Sequence, residues 1–173
     1  MSRQLSQVIA FGCIAVLIVA PLVALYLLIN IDLFSEIVKN NIGLPIHWET
    51  VSGVQWYSLW FLTLCYVSTG LTGIYFLRRA FSGFAKGEFF NHVNSRALRL
   101  FSVFLFVQAL AKPLHFLLSS ILLSANHPAG QKMLSISLGS GEVKVIALAI
   151  IMWVMSDLLV SANKLENENK QFV

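Results

Sequence analysis

The sequence predicts an all-α polytopic membrane protein with four transmembrane helices and both termini in the cytoplasm. Three observations predict it. Four apolar runs, at about residues 8–31, 55–77, 100–125 and 143–160, fill most of the 173 positions. Hydrophobic residues make up 57% of the chain and charged residues only 12%, roughly half the charged share of an ordinary soluble domain. Mean hydropathy is +0.76. Finally, the positive charge is lopsided. With the N-terminus inside, the cytoplasmic side holds Arg3, Arg78, Arg79, Lys86, Arg96, Arg99, Lys164 and Lys170, and the outside holds Lys39, Lys132 and Lys144. Excess Lys and Arg mark cytoplasmic segments. Lys112 stays within a span.

The net charge of +4 therefore reports topology and contact with anionic headgroups. The bilayer is the expected partner, and no direct nucleic-acid contact is expected. A span needs about 20 apolar residues, so four spans and their connections use nearly the whole chain as one domain, 1–173. The expected helices lie at about 6–31, 55–80, 92–124 and 141–166, with a cytoplasmic loop at 81–91 and outside loops at 32–54 and 125–140.

The first apolar run is long for a secretory signal, whose apolar core is about 7–15 residues, and it reads as a retained helix. Pro21 near its middle removes a backbone donor and predicts a kink. Cys13 and Cys65 both fall within helices, where a thiol acts as a small apolar group. In the first outside loop, Leu33, Phe34, Ile37 and Val38 interleave with Asp32, Glu36 and Lys39 at helical spacing. This predicts a short amphipathic helix on the outer leaflet, ended by Asn41, Gly43 and Pro45. Trp48, Trp56, Tyr57 and Trp60 follow as an interfacial aromatic belt. An aromatic ligand cage is the alternative.

In the second span, Thr69 and Gly73 have the small-xxx-small spacing that admits a neighbouring backbone. They predict a packing face within the bundle or in a homo-oligomer. The basic connection that follows is the most patterned segment. Gly87 can take a left-handed conformation and end one helix, and Asn91 is a good N-cap for the next. Phe81, Phe84, Phe89 and Phe90 can enter the interface while the basic groups meet headgroups. The third helix is about 50 Å long against a hydrocarbon core of about 30 Å, so it stands into the cytoplasmic interface or bends at Pro113. After a turn at 126–130, Leu134, Ile136 and Leu138 alternate with Ser135 and Ser137 in strand-like spacing. An unpaired strand cannot sit in lipid, so this segment is expected at the surface or against the first outside loop. Ser140 is a candidate cap for the last helix.

Lys112 is the strongest candidate for chemistry, because a charge in a span usually faces protein or water. Gln108 and His115 share its helix face, and the three form a polar stripe. Asp157 is the candidate counter-ion, about 10 Å away in height, with Gln108 or water as the bridge. A structural polar cluster, or a lysine reaching to the outer surface, competes with a working site. Of His47, His92, His115 and His127, no two lie at metal-ligand spacing in sequence. His47 and His127 share the outer side, where a metal site is geometrically allowed. No His-Glu-x-x-His, Cys-x-x-Cys, nucleophile-elbow, phosphate-loop or dinucleotide pattern is present. The expectation is no metal, no cofactor, no catalytic residue and no enzymatic activity.

The stretch Phe84-Ala85-Lys86-Gly87-Glu88-Phe89-Phe90-Asn91-His92-Val93-Asn94, entering a helix with Arg96 and Arg99, resembles the loop of the bacterial "domain of unknown function 2975" membrane proteins. The tail Lys164-Leu165-Glu166-Asn167-Glu168, closing on Val173, resembles theirs also. The usual Ser or Thr cap is Asn91 here. The resemblance implies four helices and a bacterial inner-membrane location. It also implies a link to small helix-turn-helix regulators, and it supplies no catalytic residues. The functional expectation is a non-enzymatic inner-membrane protein that signals to, or sequesters, a cytoplasmic regulator. Contact would run through Arg78, Arg79, Lys86, Gly87, Glu88, Asn91, Asn94, Arg96, Arg99 and the tail. The alternative is a small transporter or channel subunit using Gln108, Lys112, His115 and Asp157.

Overall fold

Each apolar run becomes one long helix, because backbone polar groups in lipid must be satisfied within their own segment. The computed structural model describes residues 3–87, 91–128 and 130–171, with side chains described as far as residue 164. The elements in order are α1 Arg3–Ile29, α2 Ile31–Asn41, a 3-10 turn Trp48–Thr50, α3 Gly53–Ala85, α4 His92–Ser124 and α5 Ser140–Gln171. Among the described residues there is no strand. Helices α1, α3, α4 and α5 are long and apolar enough to cross a membrane. The protein is an all-helical, four-span membrane protein. Both α1 and α4 run unbroken through their prolines, Pro21 and Pro113.

The bundle is open. In space the long helices follow the order α1, α3, α4, α5, and among the described residues the backbone of α1 does not approach that of α4 or α5. The α3–α4 contact rests on missing side chains. A Cβ on Gly73 would press on Phe104 at 3.2 Å, one on Gly70 on the Gln108 amide at 3.3 Å, and one on Gly83 would collide with the Asn94 amide. Thr69 and Gly73 thus belong to the face that receives α4, a use of small residues in place of a hydrophobic driving force that lipid does not supply.

Two apolar clusters mark the ends. Ala80, Phe84, Ala97, Leu98 and Phe101 pack where α3 turns into α4, joined by Met152 and Leu159 of α5. Phe34 of α2, Ile46, Leu59 and Leu123 pack at the other end with Trp48, Trp56 and Trp60 around them. Amphipathic α2 buries Phe34 there and leaves Asp32, Glu36 and Lys39 exposed. Helix ends are closed by side chains, as orphan backbone groups demand. The Ser52 N–H donates to Gln55 Oε1 at 2.7 Å, and the Val93 N–H donates to Asn91 Oδ1 at 2.9 Å. Gly87, at φ +86°, ends α3 with its N–H donating to the Phe84 carbonyl at 3.0 Å.

Candidate functional site

The polar stripe of α4 is drawn apart by its neighbours. Gln108 bonds the Thr69 hydroxyl of α3, and His115 Nε2 meets Thr63 Oγ1 at 3.1 Å. Thr63 gives its own proton to the Leu59 carbonyl at 2.9 Å, so it accepts from the imidazole. Lys112 turns the other way and forms an ion pair with Glu142 in the first turn of α5. That carboxylate also accepts the Gly139 N–H at 2.7 Å. Its side chain is 4% exposed, against 56% for Lys112. Asp157 is exposed and lies far below. Its neighbour Ser156 donates to the Ser95 carbonyl at 2.8 Å, which places this part of α5 beside the start of α4. The partner of Lys112 is therefore Glu142, not Asp157.

Glu142 reaches Lys112 because the chain before it descends along α4. Ser124 lies 12 residues beyond Lys112, about 18 Å higher, yet α5 begins near the level of Lys112. Met133 packs in the cluster around α2, against the connection between α1 and α3, as the sequence allowed. From there the segment runs down α4 instead of staying at the surface. The Met133 N–H donates to Ser124 Oγ at 2.9 Å and the Ser135 N–H to Ser120 Oγ at 3.1 Å. Each serine passes its proton to a carbonyl of its own helix, Ser124 to Ser120 at 2.7 Å and Ser120 to Leu117 at 2.8 Å. Two extended residues span about 6.6–6.8 Å and four helical residues about 6 Å, so alternate amides meet serines spaced i, i+4. Leu134, Ile136 and Leu138 face outward, each more than half exposed. This is how an irregular backbone lies along a membrane helix with its inward amides satisfied. The sequence signal was there in the pairing of Ser120 and Ser124 with the alternation at 134–138.

At the α2 end, His127 is buried with both ring nitrogens engaged. Nε2 accepts the His47 N–H at 3.2 Å and Nδ1 meets the Gln131 carbonyl at 3.2 Å. The His47 ring stands edge-on to it at 5.0 Å. Gln55, near the same end, donates to the Leu122 carbonyl at 2.7 Å and accepts from Asn126 at 2.8 Å. These contacts tie the α1–α3 connection to the α4–α5 connection. Among the described residues, no group of three His, Cys, Asp or Glu could hold a metal ion.

The opposite end gathers the basic residues. Arg78, Arg79, Lys86, Asn91 and Asn94 line a cavity of about 400 Å³ between the end of α3 and the start of α4. Arg79 is shared with a second cavity of about 280 Å³, lined by His92 and Arg96. Arg99 is used elsewhere, lying over the Trp153 ring at 4.6 Å. Gly87 sits beside the Arg3 guanidinium of α1. Glu88 lies outside the described residues. Among those described, the Lys112–Glu142 pair is the one ion pair.

No curated protein and no solved structure matches the chain. A protein family does match, over residues 45–173, from the 3-10 turn through the whole of α3, α4 and α5. This stretch holds the serine-lined descent, the ion pair and the basic clefts. The chain belongs to the family described as Protein of unknown function (DUF2975).

Proposed function

We propose that this is a non-enzymatic protein of the bacterial inner membrane, with both termini cytoplasmic, that holds a cytoplasmic regulator protein. The α3–α4 turn and the far end of α5 form the contact. One observation carries this reading. Ser156 is level with Ser95, only three residues from the start of α4, yet α5 continues to Gln171. Its last turns therefore stand about 15–20 Å beyond the α3–α4 turn. Bilayer crossing does not require that projection, and its sequence from Glu166 to Lys170 alternates charges and amides. A photo-crosslinking residue at Asn167 should trap a discrete cytoplasmic protein, and Arg79→Gln with Lys86→Gln should weaken the adduct. Recovery of lipid adducts alone would overturn the reading.

A second reading, a small transport or channel subunit, is favoured by the Lys112–Glu142 pair within the span of α4. Unchanged flux in a Lys112→Leu/Glu142→Leu double variant would sink it.

A further inference from the structure

We infer that the larger basic cleft is a binding site for the phosphate of one anionic phospholipid. Three cationic side chains, Arg78, Arg79 and Lys86, line one cavity, and none has a carboxylate partner among the described residues. The Arg78 Nε is buried and without a hydrogen-bond partner there. That burial holds the guanidinium in the wall of the cleft, and a guanidinium fork suits phosphate oxygens bidentately. The start of α4 adds its partial positive charge from the same wall.

The cavity's shape selects a lipid over a soluble phosphate. It runs from Lys86 and Asn91 at the polar end to Tyr75, one helical turn into the apolar span and 47% exposed. A headgroup phosphate held by the arginines would leave its glycerol and acyl chains alongside Tyr75, in the hydrocarbon. A soluble anion would leave that apolar end unfilled. On the floor, Gly83 admits the Asn94 amide, which fixes the spacing of the two helices that form the walls. The cleft shares Arg79 and Lys86 with the proposed regulator contact, but its test uses only the protein and lipid, so its failure is distinguishable from failure of that reading.

The test uses the full chain. Protein released from phosphatidylcholine vesicles doped with phosphatidylglycerol should retain phosphatidylglycerol in native mass spectra, in preference to phosphatidylcholine. Retention should fall about fivefold for each charge removed in Arg78→Gln/Arg79→Gln. Exposed Lys86→Gln gives a single-charge version if the double variant fails to fold. Lys132→Gln/Lys144→Gln removes equal charge at the opposite end and should leave retention unchanged. An equal loss in that control would mean diffuse attraction and overturn the site. Displacement of the lipid by inorganic phosphate would assign the cleft to a soluble anion and overturn the lipid assignment.

Discussion

Between α3 and α4 the chain reverses in six residues, 86–91, whereas between α4 and α5 it takes fifteen, 125–139. The short connection closes on Gly87 and Asn91 and leaves a row of cations facing a cavity. The long one turns its polar groups inward, amide to serine, glutamate to lysine, histidine to backbone. A polar group with its partner inside the fold accounts for itself structurally. One that is built into a wall and left unpartnered points outward, to a ligand. By that distinction Lys112, the most conspicuous residue in the sequence, has its partner within the fold, while Arg78 and Arg79 have no carboxylate partner among the described residues.

The largest effect should come from Glu142→Leu. It strands Lys112 in the span and removes the acceptor for the Gly139 amide, so thermal stability in detergent should fall by many degrees. The paired Lys112→Leu/Glu142→Leu change should recover most of that loss, because breaking an ion pair costs more than replacing it. A double variant as unstable as the single would break the structural assignment. Next is Gly83→Leu, which drives a side chain into Asn94. Overpacking of this kind costs about 1–3 kcal/mol, read as a lowered denaturation midpoint.

Ser120→Ala/Ser124→Ala should cost about 1 kcal/mol, near the measured average of about 0.6 for a hydrogen bond between membrane helices. It should also speed hydrogen exchange at Met133 and Ser135 while leaving α3 unchanged. Unaltered exchange there would remove the serines from their role. Smallest of all, Arg78→Gln/Arg79→Gln should shift stability in lipid-free detergent by no more than about 0.5 kcal/mol, despite its effect on lipid retention. A large loss there would erase the contrast between the two connections.

Much of this was legible in the sequence. Long apolar runs specify helices because lipid allows few alternatives. Gly87, Asn91 and the Thr69–Gly73 face act locally, so their roles follow from residue type and spacing. The partner of Lys112 was not legible, because counting heights back from Lys164 assumes that Lys164 marks the inner edge of the bilayer. Once residues 131–139 descend along α4, every height on α5 shifts. Glu142 becomes level with Lys112, and Asp157 drops to the level of Ser95. Only a tertiary contact, serine hydroxyl to extended backbone, sets that offset.

The two serine rungs also act as a ruler. Amides alternate sides along an extended chain, so a slip of one residue would turn the bonded set away from α4. The next matching register lies a full rung off, about 6–7 Å away. The depth at which α5 begins is therefore stepped, not continuously adjustable. Because α5 is one rigid rod, the reach of its far end past the α3–α4 turn is set by the same two hydroxyls on the opposite side of the molecule.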